Sequence, residues 1–424
     1  AGAAPIKFDQ AMFPIEGFSG AVESDPYLRI LLIEDGGKAA IVSGEMVNIS
    51  ADVITSIRTL IHEETGTPIS NIWVHANHTI TTMHSPKENA ELYTKAMMDA
   101  AETALQDAIA SFQPAKMGVA KGDSYVNANR NKLYDDGQYR IGNFAEEDAE
   151  RGIISNHEMT IVRFEGLDGT PIGMIMSHGT KPTCIDNAEM DLNSRLISSD
   201  VPGEACAMME EKYGCPVMFV MGASGDQITV ETTCYYSKDE TGAYKAKSEF
   251  ESVAQGLEYK EKYGKQMGED AIAIADTIKC TTTNAEISFL AEDLTVRNNK
   301  DDGDVTVDVN GLAFGDDLAF IGIKPEIDSV TELQVWDASP FKNTIVCSFT
   351  NGDQKYMAHE EAFAEPKTVE AQKSGFEVGA AETFVEKAKV VLDELKSLQN
   401  TSIKAGAGAA PIKFDQAMFP IEGF

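Results

Sequence analysis

Residues 27–76, YLRILLIEDGGKAAIVSGEMVNISADVITSIRTLIHEETGTPISNIWVHA, contain the pattern that decides the fold. Apolar runs with β-branched residues at Ile30 to Ile33, Ala39 to Val42 and Ile72 to Ala76 have the length of strands. Between them, Ala51 to Glu64 has apolar residues at the spacing of an amphipathic helix. Strands that alternate with amphipathic helices are typical of layered α/β proteins. We therefore expect a layered α/β sandwich with a mixed central sheet.

The same alternation continues along the chain. Further elements are predicted as a helix in Lys87 to Phe112, a hairpin of Met159 to Phe164 and Ile172 to Ser177, a helix in Val201 to Tyr213, a strand in Pro216 to Met221 and a closing helix in Glu382 to Leu398. No composition shift divides these elements, so we interpret residues 1–398 as a single domain.

The two ends of the sequence share one segment. Residues 1–18, AGAAPIKFDQAMFPIEGF, recur unchanged as residues 407–424, and 399–424 is therefore interpreted as a linker plus a duplicate. Only the first copy runs directly into a strand, so that copy is predicted to belong to the fold. If both copies fit the same place, protomers can exchange them, which would give a homo-oligomer.

Composition limits the classes of partner. Lys and Arg number 35 against 68 Asp and Glu, a formal net charge of −33, which disfavours nucleic acid and anionic membrane surfaces. No apolar run approaches the roughly 20 residues of a transmembrane helix. The six cysteines are scattered without CxxC pairs, so we interpret them as reduced thiols and expect a cytoplasmic protein. A leader removed from a mature chain would leave no trace.

Histidine is scarce, yet His75, His78 and His84 fall within ten residues after a predicted strand, and His178 ends the hairpin. Strand ends are where α/β sheets place their sites. In an extended strand His75 and His78 point to opposite faces, so one of them is predicted to be structural. The spacing by itself does not distinguish a metal ligand from an ordinary buried polar residue.

Several of these motifs together resemble one family. His78-Thr79 followed by Ser85-Pro86 is similar to the His-Thr-His-Ser-x-Pro motif of neutral/alkaline ceramidases, and Ser177-His178 with Pro182-Thr183 is similar to their second histidine motif. Gly222-Ala-Ser-Gly-Asp226 resembles their glycine turn. The resemblance spans roughly 17–363, so it implies the ceramidase catalytic domain without the immunoglobulin-like C-terminal domain of full-length members.

The resemblance also implies a zinc ion and its ligands. Carried over residue by residue, the metal ligands are His78, His178, Glu326 and Asp353, with Tyr356 as the alternative to Asp353. A carboxylate is an ordinary zinc ligand and a phenol an unusual one. Zinc bound in this way lowers the pKa of a bound water and polarises a carbonyl.

Two positions depart from the family pattern. The slot of the family's serine nucleophile holds Ile228, which favours direct attack by metal-bound hydroxide over a covalent serine, and the second histidine of His-Thr-His is Ile80. His84 is the predicted substitute for that histidine. Asp226 is predicted in the site wall, and Arg130 is predicted either to clamp a substrate carboxylate or to form an ordinary surface ion pair.

These observations predict a zinc-dependent amidohydrolase acting on an amide or lactam bond of a small soluble substrate. One alternative is a lactonase, esterase or Lewis-acid lyase or isomerase. Another is a protein that has lost catalysis and serves as a ligand-binding or structural assembly protein. Product analysis with amides and esters, and metal content, distinguish the three.

Overall fold

The computed structural model describes residues 1–143, 146–185, 195–233, 235–247, 252–299 and 303–399. In chain order its strands are β1 (Gly2–Pro5), β2 (Phe18–Val22), β3 (Tyr27–Asp35), β4 (Gly37–Gly44), β5 (Ile72–Ala76), β6 (Ala115–Asp123), β7 (Asn127–Asn129), β8 (Asn131–Leu133), β9 (Tyr139–Ile141), β10 (Glu158–Gly166), β11 (Pro171–His178), β12 (Arg195–Ile197), β13 (Val217–Met221), β14 (Gln227–Thr229), β15 (Tyr235–Lys238), β16 (Tyr244–Lys247), β17 (Ile287–Arg297), β18 (Asp304–Phe314), β19 (Leu318–Gly322), β20 (Glu326–Ile327), β21 (Asn343–Cys347) and β22 (Tyr356–Met357). Its α-helices are α1 (Ala51–Thr65), α2 (Ala90–Ala110), α3 (Asp200–Tyr213), α4 (Ser252–Ala275), α5 (Ser329–Ala338), α6 (Val369–Lys373) and α7 (Ala380–Gln399).

Three four-stranded mixed sheets form the framework, in the orders β1-β3-β4-β5, β13-β11-β10-β6 and β17-β18-β19-β21. Each contains the same unit: an antiparallel hairpin, then a helix, then a strand parallel to the second hairpin strand. Unit 1 is β3-β4-α1-β5, unit 2 is β10-β11-α3-β13 and unit 3 is β18-β19-α5-β21. A parallel partner requires such a crossover, which here is helical.

The sheets and helices stack in four layers. One face of the first two sheets packs against α1 to α4 through a core that includes Ile30, Val42, Ile161 and Phe219. Their other face meets the third sheet in a second core, and the far side of the third sheet packs against α5 and α7. The predicted layered α/β architecture is thus confirmed, with the strands distributed over three mixed sheets.

Local sequence explains where helix α1 begins and ends. Ser50 accepts a hydrogen bond from the backbone N–H of Val53 at the start, and Gly66 ends the helix with a φ of 69°, a conformation that favours glycine. The predicted strand at Ile72 to Ala76 matches β5 residue for residue. Strong periodicity and clear end signals make such elements predictable from sequence.

The first copy of the duplicated segment belongs to the fold, as predicted. Strand β1 pairs with β3, and Ile6, Met12 and Phe18 are buried in the first core. The second copy and the linker before it, residues 400–424, lie outside the described residues, so the homo-oligomer stays a prediction.

Two further expectations concern thiols and membranes. The five described cysteines (Cys184, Cys206, Cys215, Cys280 and Cys347) are free and buried, as the scattered pattern predicted. Within the described part of the chain, no helix combines the length and the apolar character needed to cross a membrane.

Candidate active site

The candidate site lies where the strand ends of the three units meet. Backbone hydrogen bonds join each pair of units there: Ile80 N–H to Pro182 O at 3.1 Å, Asn351 N–H to Val74 O at 2.8 Å, and Gly225 N–H to Ile327 O at 2.8 Å. The loops that follow β5, β11, β13, β19 and β21 are therefore fixed to one another. Residues far apart in sequence come together at this point.

A buried carboxylate, that of Glu326, is the centre of the site. His78 Nδ1 lies 3.1 Å from Glu326 Oε2, while Lys181 Nζ lies 2.8 Å from Oε1 and Ser224 Oγ donates to Oε1 at 2.6 Å. Burial alone would raise the pKa of Glu326, but the Lys181 ammonium and His78 hold it well below its usual range. Glu326 is therefore a fixed anion that accepts a hydrogen bond from Ser224, forms an ion pair with Lys181 and lies at ion-pair distance from His78, whose Nδ1 is outside hydrogen-bond geometry.

A second oxygen, the hydroxyl of Tyr356, faces the two buried cations of the site. Lys181 Nζ donates to it at 3.0 Å and Arg130 Nη1 lies 3.4 Å from it. The Arg130 guanidinium stands 4.8 Å from the centre of the Tyr356 ring, and its Nε lies 3.8 Å from Glu370. Burial raises the pKa of Tyr356, but Arg130 and Lys181 outweigh it and the pKa falls below its usual value.

His78 occupies a strained position at this centre. Its φ is 50°, in the left-handed region that non-glycine residues seldom adopt, and the neighbouring Phe349 has a φ of 53°. The two rings pack with centroids 4.8 Å apart. Burial lowers the pKa of His78 and Glu326 raises it, with a net shift downward that favours the neutral imidazole. About 12% of its side chain reaches solvent.

His178, the other predicted histidine ligand, uses both ring nitrogens elsewhere. The backbone N–H of Thr180 donates to Nδ1 at 3.2 Å, so Nε2 carries the proton and faces the carbonyl of Ser124 at 3.1 Å. The ring is 2% exposed, and burial lowers its pKa to about 4. To bind a metal, His178 would have to break one of these two bonds.

Two predicted residues lie on the surface instead. Asp353 is exposed and accepts a hydrogen bond from Asn48 at 3.3 Å. His84 is 58% exposed and its Nδ1 lies 3.1 Å from Glu16. Among the described residues, neither side chain forms a hydrogen bond or an ion pair with Glu326, His78 or Tyr356.

Asp226 lies in the wall of the site, one hydrogen bond away from Arg130. Its carboxylate accepts from Asn129 Nδ2 at 3.0 Å and from the backbone N–H of Ser329 at 2.9 Å, and its carbonyl accepts from the backbone N–H of Arg130 at 2.8 Å. Burial and the nearby carboxylate of Asp328 raise its pKa well above the usual value. Asp226 therefore positions Arg130 and the start of α5.

The residues around Lys181, including Glu326 and Tyr356, are not arranged to fit a divalent metal ion. In the described part of the chain, no three His, Cys, Asp or Glu side chains stand close enough together to hold one. Glu326 and Tyr356 both face the Lys181 ammonium, and a second cation placed between them would be repelled by it. Zinc dependence remains an expectation from the resemblance.

Sequence reasoning did not assign a role to Lys181 or Ser224. Lys181 follows His178 by three residues in a loop after a buried strand, and it is itself 2% exposed. A lysine in such a loop, between small and apolar neighbours, is the signal that could have identified it, because lysine is seldom fully buried without a partner. Ser224 belongs to the glycine turn, which pointed to the site without showing which atom acts there.

Comparison with known proteins gives structural relatives, among them two ceramidase structures. No family model matches this chain, and neither does any curated protein sequence. A ceramidase solved in complex with C2 superposes with a TM-score of 0.69, and neutral ceramidase from Pseudomonas aeruginosa with a TM-score of 0.66. Both are 13% identical, and each match covers 97% of this chain and 76% of the ceramidase. The chain therefore has the ceramidase fold, as its short motifs predicted.

Proposed function

We propose that this chain is a hydrolase that cleaves an amide bond in a small, water-soluble substrate. The contact between His78 Nδ1 and Glu326 Oε2, at 3.1 Å in the strand-end cluster, carries the proposal. The ceramidase fold supports it, because ceramidases cleave an amide. The zinc expected from the resemblance is not part of the proposed reaction, since the arrangement of Lys181, Glu326 and Tyr356 does not fit a metal ion.

His78 is the general base in this proposal. The anionic Glu326, 3.1 Å from Nδ1, favours the tautomer in which Nδ1 carries the proton and Nε2 keeps its lone pair. A neutral imidazole oriented by a carboxylate can accept a proton from an attacking water molecule. The water oxygen then bonds to the substrate carbonyl carbon while its proton moves to Nε2.

The two buried cations stabilise the charge that this attack creates. Negative charge develops on the carbonyl oxygen, and the Lys181 ammonium and the Arg130 guanidinium are fixed positive groups beside it. The Tyr356 hydroxyl, whose pKa they lower, is placed to donate a proton to the departing nitrogen. The carbon–nitrogen bond breaks, the products are a carboxylic acid and an amine, and the proton on His78 returns Tyr356 to its starting state.

The test is turnover of a panel of N-acyl amino acids and short N-acyl amines beside their matched esters. We expect amide cleavage by the wild type and a roughly 10²- to 10⁴-fold fall in kcat for His78→Gln, which keeps a polar side chain but removes the base. The matched control is His84→Gln, an exposed histidine, with unchanged turnover. Equal activity of wild type and His78→Gln would refute the proposed base, and cleavage of esters alone would identify an esterase instead.

A further inference from the structure

We propose that the Lys181 ammonium is the resident cation of this site and takes the place of a metal ion, so that the folded protein does not bind zinc there. The geometry points to this. Lys181 Nζ lies 2.8 Å from Glu326 Oε1 and 3.0 Å from the Tyr356 hydroxyl, so one positive centre bridges both oxygens. Glu326 and Tyr356 are residues that the sequence resemblance offered as metal ligands.

Replacing a divalent metal ion by the Lys181 ammonium preserves the net charge of this buried site. A divalent ion between a glutamate and a tyrosinate sums to zero. An ammonium between a glutamate and a neutral phenol also sums to zero. Because an uncompensated charge in a protein interior is costly, a lysine is a substitution that such a site can accept.

Lysine is held in this position by its own loop. The carbonyl of Lys181 accepts a hydrogen bond from Thr183 Oγ1 at 3.3 Å. The carbonyl of the next residue, Pro182, accepts one from the backbone N–H of Ile80. Its side chain is 3% exposed. The cation is therefore a covalent part of the chain and cannot be removed by a chelator.

The second histidine supports the same conclusion independently. A zinc site needs about four donors, and His178, the second histidine of the predicted set, has both ring nitrogens in hydrogen bonds to the backbone of Thr180 and Ser124. Only His78, Glu326 and Tyr356 remain around the ammonium. If the ammonium is removed, these three groups are left free to bind a zinc ion.

The experiment is zinc titration of the wild type, Lys181→Met and the double variant Lys181→Met/Glu326→Gln, with bound zinc measured by mass spectrometry after dialysis. Methionine keeps the length and packing of the lysine stem without its charge. We expect no zinc in the wild type, about one equivalent in Lys181→Met because three ligands become free, and loss of that zinc in the double variant.

Two results would overturn the proposal. One is stoichiometric zinc in the wild type that disappears in His78→Ala, and the other is a folded Lys181→Met protein that still binds no zinc. If Lys181→Met does not fold, measurements on the wild-type protein alone test the proposal. Its melting temperature should be the same with EDTA and with excess zinc, whereas a resident zinc would make it fall with EDTA. None of these measurements depends on turnover, so the proposal can fail while amide cleavage itself is still observed; zinc on His78 would then exclude His78 as the free base.

Discussion

The ends of β5 and β11 each bring a histidine to the site region but use it differently. His78 follows β5 and His178 ends β11. His78 turns one nitrogen toward a carboxylate and keeps a side chain that is 12% open to solvent. His178 is closed on both sides by backbone groups. The two rings therefore differ in how many nitrogens the backbone engages, and this difference underlies the proposal that His78 is reactive and His178 structural.

The sharpest way to test this comparison is to remove each imidazole in turn. His78→Gln should lower kcat by roughly 10²- to 10⁴-fold and leave the free energy of unfolding nearly unchanged. His178→Ala should do the opposite, keeping kcat of the folded protein and losing roughly 1 to 3 kcal/mol of stability, since two buried hydrogen bonds disappear. Urea unfolding and steady-state kinetics on both variants measure this. A large kcat loss in a folded His178→Ala protein would contradict the structural role of that ring.

A second variant removes the carboxylate that orients His78. Glu326→Gln leaves the Lys181 ammonium buried without its anionic partner, so we expect a loss of roughly 3 to 5 kcal/mol in addition to the loss of activity. Denaturant unfolding measures the loss. The double variant Glu326→Gln/Lys181→Met should recover part of the stability, because no charge is then left unpaired. If the single and double variants are equally stable, the ion pair is not what holds these loops.

Two of the buried histidines that the proposed reaction does not use, His178 and His359, give pH tests of opposite sign. Burial lowers the pKa of His178 from 6.5 to about 4, so below pH 6.5 the unfolded chain binds a proton that the folded chain refuses. Stability should therefore fall as the pH drops from 6.5 towards 4, by up to about 1.4 kcal/mol per pH unit for this group. His178→Gln should flatten that slope in urea unfolding between pH 7 and pH 5. An unchanged slope would mean that the ring is already protonated in the fold.

His359 should respond in the opposite direction. Burial lowers its pKa, but the carboxylate of Asp328, 2.7 Å from Nδ1, outweighs burial and raises the pKa to about 10. Its stabilising contribution is complete below pH 6.5 and is lost as the pH rises towards 10. His359→Gln should therefore lower stability at pH 7 and weaken its decline at alkaline pH. Thermal unfolding at pH 7 and pH 9.5 measures the difference, and an identical decline in both proteins would contradict the ion pair.

The smallest expected effect is at the link between the first and third units. Asn351 Oδ1 accepts a hydrogen bond from the backbone N–H of Val74 at 2.9 Å. Asn351→Ala should cost about 1 kcal/mol and raise KM more than it lowers kcat, because it loosens the loop against which His78 packs. Asn351→Asp keeps the acceptor and serves as the control. No change in either measurement would show that the backbone bond between these residues is sufficient.

Sequence alone predicted most of the framework and only part of the site. Strand and helix positions follow from local periodicity, and β5 was predicted to the residue. His78 and Glu326 were both singled out, and they are in contact. The role of Lys181 depends on which three loops meet, and the role of His178 depends on the carbonyl of Ser124 at the end of another strand. Such contacts between distant residues leave no local pattern.

The three repeated units have a consequence for how activity appears during folding. Each unit has its own hairpin, helix and parallel strand, but the cluster draws His78 from unit 1, Lys181 from unit 2 and Glu326 from unit 3. Secondary structure within a unit forms through contacts that are close in sequence, whereas the cluster requires all three units to dock, which is slower. After dilution from denaturant, helical signal should therefore return before catalytic activity, and the delay between them measures the docking step.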